Sequence, residues 1–506
     1  MVQQLLKEPS SEGFKKRQKL EKNYEFKKKV NKKYLRDQII KHSRIDLLMT
    51  ECLDYKVIDF HLLMWHHRNN NYFKLGNQRM HLALAPRNTG KSVTLTQASI
   101  ILDIVQNPNI RILIASKTNA NSESFLQEIK NKMLSTKFKE VFGDYKGELW
   151  NTAEINVLPR TADHKEKTVE TVGIGTAIAS RHYDKIYADD LVDEDNSTTQ
   201  GQREKIENWY LKVLYPVLMA DGELSNIGTR YHPEDLNGTL IEKFFVVRNK
   251  RGKIVKKLYI RVPALIRKKN HRSFKKKVDK YLSIWPEIWS VKTLFAMRKA
   301  LGSISFNSQY QNDVKAMKGK IFKIDWFRTY STNDNINFKD LIIYQGCDLA
   351  ISQKATADKF AHVTIGVNRR TGKIYVLDYF NGIVHYNKQK EILFEKYNQF
   401  DPIKAGVEIN GYQQALYQDM RANPKTSGMR IVPIFTDKDK TVRAWKMSAY
   451  FERGDVLLKE GMNELRDQLI KMPDGRYKDL FDALDIAIQL AFGTGQIVRQ
   501  TEPGVI

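Results

Sequence analysis

Residues 79–105, RMHLALAPRNTGKSVTLTQASIILDIV, constrain the fold more than any other stretch. An apolar run breaks at Pro86, turns through a short polar loop, and resumes as an apolar-rich helical segment. That order predicts strand, loop and helix, with Gly90-Lys91-Ser92 at the helix entrance. Loop amides and a helix N-terminus in this arrangement cradle phosphates, and the lysine reaches the terminal ones. The generic pattern has glycine at the first loop position, where this chain has Ala85.

A phosphate loop needs a carboxylate at a neighbouring strand end to hold a metal. YDKIYADDLVDEDN supplies Asp189 and Asp190 about a hundred residues later. Asp189 is placed for Mg2+ and Asp190 for orienting or deprotonating an attacking water. Further on, LSNIGTRY puts Thr229 and Arg230 at another strand end. The apolar runs at 79–85, 111–116, 183–189 and 224–229 alternate with helical patterns, which predicts an open, mainly parallel α/β sheet. Ligands of such sheets sit at the strands' carboxyl ends.

With 506 residues the chain is too long for one core, so two domains plus connecting pieces are expected. No run of about 18 apolar residues and no apolar leader segment occurs, which argues against a membrane span or secretion. Cys52 and Cys347 lie too far apart in sequence to suggest a disulfide framework or zinc cluster, which fits a reducing cytosol. The formal charge is +26. Residues 1–50 hold 14 Lys/Arg against 6 Asp/Glu, and residues 248–280 hold 15 against 1, so these stretches carry +8 and +14. Such clustering points to a polyanion, with nucleic acid preferred over a merely solvated surface. Within the second stretch, Lys268, Lys269, Arg272, Lys275, Lys276 and Lys277 are the candidate DNA contacts.

A second strand series runs through 340–350, 361–368 and 373–380, with Arg370-Thr371-Gly372 as a hairpin turn. A helical stretch (387–399), the strand KAGVEIN (404–410) and a last helix from about 478 to 492 follow. This describes a smaller mixed sheet, joined to the first through the polar, Gly/Asn-rich residues 316–339. Its acids end separate elements: Asp348, Glu408, and Asp479 and Asp482 at i, i+3 on the last helix. Carboxylates gathered this way repel one another unless cations lie between them. Two Mg2+ or Mn2+ ions so held would activate water for phosphodiester cleavage.

The motif order APRNTGKS, SRHYDKIYADDLVDE, IGTRYHPEDL, SIWPEIWS, LGSISFNSQYQND, GCDLA, GVEINGYQQAL and YKDLFDALDIAIQLAF resembles the large terminase subunit of tailed double-stranded DNA bacteriophages. The resemblance covers about residues 60 to 492. It implies an N-terminal P-loop, ASCE-type ATPase that drives DNA translocation and a C-terminal RNase H-like nuclease that cuts concatemeric DNA. The expected organisation is a basic helical arm (1–55), an ATPase domain (56–315), a linker (316–339) and a nuclease domain (340–506). ATP with Mg2+ would occupy Ala85, Pro86, Arg87, Asn88, Thr89, Gly90, Lys91, Ser92 and Asp189. Arg87 matches the loop's frequent arginine, Asp189 and Asp190 the second nucleotide motif, and Thr229 the coupling motif. Asp348, Glu408 and Asp479 match the nuclease acids, with Asp482 as the next acidic position, and two divalent ions are implied there. Three positions depart from the family pattern. Ala85 replaces a glycine, Leu349 stands where proline often follows, and Lys478 fills the first place of a frequent Asp-Asp pair.

The implied partners are double-stranded DNA, a procapsid portal, a small terminase subunit and further copies in a ring, with no membrane. The implied location is the cytoplasm of an infected bacterium, not the mature virion. An ATP-dependent helicase or recombination enzyme with a fused nuclease would share both sites, and a non-catalytic DNA-binding scaffold would use neither. Which of Arg87, Arg181 and Arg230 acts on a phosphate stays open at this level.

Overall fold

The computed structural model describes residues 32–178, 180–268, 276, 278–317, 319–331, 333–334, 336–349, 359–408, 429–434, 439–475 and 477–493. It divides into two compact units. One comprises the described residues up to Phe295 with Asn307–Val314. The other comprises Ala296–Phe306 with the described residues from Lys315 onward.

In the first unit, β1 (Phe73–Leu75), β2 (Gln78–Leu84), β3 (Ile112–Ser116), β4 (Lys146–Trp150), β5 (Glu154–Val157), β6 (Val169–Gly173), β7 (Tyr183–Asp189) and β8 (Leu218–Gly228) form one sheet, ordered β1-β2-β8-β7-β3-β6-β5-β4. A separate antiparallel hairpin follows, β9 (Val246–Arg248) and β10 (Ile254–Lys257). Next, β11 (Ile260–Arg261) pairs parallel to β2, and β12 (Leu265–Arg267) pairs antiparallel with β13 (Tyr281–Ser283). Strands β2, β8, β7, β3 and β6 run parallel, while β1, β5 and β4 are antiparallel additions. β8, which leads into Thr229, therefore lies between β2, which leads into the Gly90-Lys91-Ser92 loop, and β7, which ends in Asp189.

Both faces of this sheet are covered, which is why its strands read as continuous apolar runs. Ile112 and Ile114 point into one core cluster with Tyr187 and Ile227; Leu113 and Ala115 point into the other with Ile186 and Leu224. Ile39, Ile45, Leu48, Met49, Cys52 and Leu53 are buried in the first of these clusters. The expected arm at 1–55 is corrected here: the lysines of 32–55 surround an apolar stripe that packs into the domain. Residues 1–31 lie outside the described residues.

In the second unit, β14 (Arg328–Tyr330), β15 (Leu341–Asp348), β16 (Phe360–Asn368), β17 (Ile374–Gly382), β18 (Lys404–Glu408), β19 (Ile431–Ile434) and β20 (Val456–Lys459) are ordered β14-β20-β17-β16-β15-β18-β19. β15, β16 and β17 are antiparallel neighbours, joined at the expected 370–372 turn, and the remaining pairs are parallel. The expected linker 316–339 is also corrected. Ile321 and Phe322 are buried in this unit's core, Phe322 stacks edge-on to Phe451 at 5.2 Å, and β14 extends the sheet. The stretch is mostly polar, yet a few large apolar residues suffice to anchor it. The two units also interleave between residues 295 and 315, so the boundary is not a single cut at 315.

The last helix, Asp479–Phe492, packs across β15, β16 and β18. Its close approach depends on Gly346 and Gly406, which are register partners on β15 and β18. A Cβ on Gly346 would stand 2.1 Å from the Ala483 carbonyl oxygen, and one on Gly406 would stand 2.5 Å from Ile486. Two missing side chains thus let the helix lie against the sheet with its first turn beside the strand ends.

Candidate nucleotide and metal sites

The phosphate loop leaves β2 with Ala85 fully buried, its amide donating to the Gly228 carbonyl at 3.1 Å. Ala85 lies outside the left-handed region, whereas Asn88 (φ 55°) and Gly90 (φ 73°) are in it. The backbone freedom that glycine provides is therefore needed at Gly90 and not at Ala85. The helical segment that follows opens with π-type turns, Val93–Ala98, and continues as Ser99–Gln106. Thr89 Oγ1 donates to the Pro86 carbonyl at 2.7 Å, and Trp289 Nε1 donates to the Asn88 carbonyl at 3.0 Å.

Lys91, Ser92, Asp189 and Asp190 converge at the carboxyl ends of β2 and β7. Lys91 Nζ donates to Asp190 Oδ2 at 2.9 Å. Asp189 accepts from Thr96 Oγ1 at 2.5 Å, and the Ser92 hydroxyl beside it counts among the groups that favour its charged form. Burial, followed by the Asp190 charge, pushes the Asp189 carboxyl up to about 7. Among the described residues Asp189 Oδ1 is fully buried with no hydrogen-bond partner. An orphaned carboxylate oxygen beside a serine hydroxyl fits a hard divalent cation. Thr229 Oγ1 donates to the Ala85 carbonyl at 3.1 Å, tying the end of β8 to the start of the loop.

The three arginines separate clearly. Arg230 is buried, with Nε 3.0 Å from Asp235 and Nη2 3.0 Å from both the His232 and Pro233 carbonyls, so it shapes its own loop. Arg181 pairs with Glu170. Arg87 is exposed on the phosphate loop, 5.4 Å from the Tyr231 ring centroid and 3.3 Å from Gln309 Oε1.

Sequence reasoning missed His61. Its Nδ1 accepts from the Ile58 amide at 3.2 Å, so its Nε2 carries the proton and donates to the Thr89 carbonyl at 2.8 Å. The ring sits beside Phe60 and Trp285, and burial lowers its basicity. No local pattern announces this, because the ring reaches the loop from the helix Asp59–Asn70, distant in sequence.

In the second unit, Asp348 and Glu408 end the adjacent parallel strands β15 and β18, and Asp479 opens the last helix. Burial, then the charges of Asp482 and Glu408, hold the Asp348 carboxyl well above its ordinary range; Asp479 adds to this and Lys440 opposes it. All these donors are carboxylate oxygens, which suits Mg2+ or Mn2+. Among the described residues no three of them form a closed metal-binding group. Asp482 is committed differently: Arg443 Nη2 donates to Oδ1 at 2.6 Å, and Lys440 pairs with Oδ2. Arg443 Nη1 also donates to Asp485 Oδ2 at 2.7 Å. Lys440 and Arg443 were missed, although their i, i+3 spacing matches that of Asp482 and Asp485 on the facing helix.

Of the candidate DNA contacts, Lys268 is partly buried and its amide donates to the Lys280 carbonyl at 2.9 Å, while Lys276 is exposed. Lys269, Arg272, Lys275 and Lys277 lie outside the described residues. Among the described residues, no helix is long and apolar enough to cross a membrane.

Residues 345–490 match the family described as the terminase RNaseH-like domain. Over 146 residues the chain is 32% identical to the terminase large subunit of Enterobacteria phage T3; the match spans 28% of this chain and 24% of that protein. Among solved structures, the large terminase of a thermophilic bacteriophage is similar, at 10% identity and TM-score 0.48 over 81% of this chain and 93% of that one. The HK97 bacteriophage large terminase is similar at 13% identity and TM-score 0.34, over 88% and 99%.

Proposed function

We propose that this chain, whose residues 345–490 match the terminase RNaseH-like domain family, is the large subunit of a phage terminase: an ATP-driven DNA translocase with a metal-dependent endonuclease. The observation that carries the reading is the placement of Asp348 and Glu408 at the ends of adjacent parallel strands, with Asp479 opening the helix packed across them, within the matched residues. A second site of different chemistry, at Lys91, Ser92, Asp189 and Asp190, supplies the motor.

Lys91 would leave Asp190 for the β/γ-phosphates, freeing Asp190 to orient or accept a proton from the attacking water. Ser92 and Asp189 would hold Mg2+, which neutralises phosphate charge when bound. Arg87, exposed on the loop, is the arginine available to a phosphate. Thr229 would report the state of the loop to β8 through the Ala85 carbonyl. In the nuclease, Asp348, Glu408 and Asp479 would hold one or two divalent ions, which activate water and stabilise the leaving oxygen. Asp482 serves that site indirectly, as the carboxylate that anchors Lys440 and Arg443 beside it. The partners of this reading are duplex DNA, the procapsid portal, the small subunit and further copies of the chain, in the cytoplasm of the infected host.

The test separates the two sites. Lys91→Ala should abolish ATP hydrolysis and spare Mn2+-dependent cleavage of duplex DNA, and Asp348→Ala should do the reverse. Loss of both activities from either variant with the fold intact would defeat the two-site assignment. Unchanged turnover and cleavage would favour a scaffold, and strand unwinding without packaging would favour a helicase.

A further inference from the structure

The hairpin β9–β10 is exposed almost throughout. All four residues of β10 are exposed, Val247 and Val255 retain 42% and 60% of their accessible surface, and every residue of the connecting turn 249–253 is exposed. An isolated two-stranded ribbon is only marginally stable in water, and unpartnered strands are usually covered. This ribbon is nevertheless well braced. Leu258 closes its base on the Phe245 carbonyl at 2.8 Å, Phe245 is fully buried, and the Asn249 side chain accepts from the amides of Arg251 and Lys253 at 3.0 Å each.

Its charge is one-sided. Residues 246–257, VVRNKRGKIVKK, hold six Lys/Arg and no Asp or Glu. Among the described residues Arg248 alone of the six meets a carboxylate, that of Glu242. Each register pair sets an aliphatic side chain opposite a basic one: Val246 with Lys257, Val247 with Lys256, Ile254 with Arg248. Lysines therefore appear on both faces of the ribbon as well as at its tip.

We propose that this hairpin enters a groove of duplex DNA and grips it through the phosphates of both flanking strands. A two-stranded ribbon fits the major groove, which is roughly 12 Å wide. Cations on both faces match a groove walled by phosphates on two sides, better than they match the single face of a protein partner. The aliphatic residues provide contact without base-specific hydrogen bonds, so the grip is independent of sequence, as movement along a genome requires. The inference rests on the DNA-handling reading above and locates the grip outside the basic run at 268–277.

The experiment uses the full chain. Lys250, Lys253, Lys256 and Lys257 are replaced by Gln, leaving Asn249, Gly252 and the apolar pairs in place. Binding to unrelated duplexes is measured from low to moderate salt. The slope of log affinity against log salt should flatten by up to about 3.6, at about 0.9 per lost phosphate contact, with at least a roughly tenfold loss of affinity at low salt. Hydrogen exchange of the unsubstituted chain should show protection of 246–257 on adding duplex. An unchanged slope, or no protection of the hairpin, overturns the proposal while leaving the terminase reading intact. Absence of salt-dependent duplex binding by the unsubstituted chain would instead sink that reading. Equal protection by polyglutamate would indicate an acidic peptide contact and overturn the groove assignment.

Discussion

The Thr229 hydroxyl donates to the Ala85 carbonyl oxygen at 3.1 Å, so the end of β8 and the first residue of the phosphate loop share one hydrogen bond. Both groups are buried, and Asn237 Nδ2 holds the Thr229 carbonyl at 3.2 Å. Any displacement of the loop at Ala85 would strain this bond to the residue after β8. Thr229→Val keeps the shape and removes the donor. Nucleotide affinity should stay within about threefold, less than the ~1 kcal/mol that one such bond is worth. DNA-stimulated hydrolysis should fall at least tenfold, and Thr229→Ser should recover most of it. Full stimulation in the valine variant would remove Thr229 from the coupling role.

Gly90 meets two separate constraints, and they can be told apart. Its φ of 73° disfavours any side chain, and an added Cβ would lie 2.9 Å from His61 Nε2. Gly90→Ala should abolish ATP hydrolysis. Adding His61→Ala removes the steric contact but leaves a left-handed strain of about 1–2 kcal/mol, so the double variant should not recover. His61→Ala alone should weaken nucleotide binding about tenfold by releasing the Thr89 carbonyl. Recovery in the double variant would show that space, not backbone conformation, demands the glycine.

Arg443 neutralises two buried carboxylates at once. Arg443→Met leaves Asp482 and Asp485 without it in a site where both are nearly inaccessible, and should cost about 3–5 kcal/mol of stability. Urea denaturation should show the loss in the second unit's transition, with ATP hydrolysis preserved at 25 °C. Changing Asp485→Asn in the same chain should return part of it. A loss under about 1 kcal/mol would mean that the pair is solvated.

Acid should destabilise both units through histidines that are buried uncharged. Burial lowers His67 to about 4 and His362 to about 3, against 6.5 in the unfolded chain. Below pH 6.5 the unfolded state therefore binds more protons, and stability falls as pH falls, until each histidine's folded value is passed. Between pH 7 and 5.5 each contributes a loss of about 1 kcal/mol. His362→Phe should reduce the pH dependence of the second unit's transition by that share. Equal stability at the two pH values would contradict the assignment of neutral buried rings.

The strands that end in Asp189, Asp348 and Glu408, and those that lead into Lys91 and Thr229, were legible in the chain because each is an apolar run followed by polar residues. That pattern is set by local geometry and burial alone. The charge clusters were legible for the same reason, since composition needs no fold. Only the tertiary structure decided that Ile39 and Leu48 in the first unit, and Ile321 and Phe322 in the second, belong to cores, because a few apolar side chains among many polar ones acquire meaning only when a surface receives them. It also decided that Ala85 needs no glycine, since backbone dihedrals are not written in residue type. Finally, it decided that His61 braces the phosphate loop and that Arg443 and Lys440 claim Asp482. Those contacts join elements tens of residues apart, and nothing in local periodicity fixes which side chains meet across such a distance.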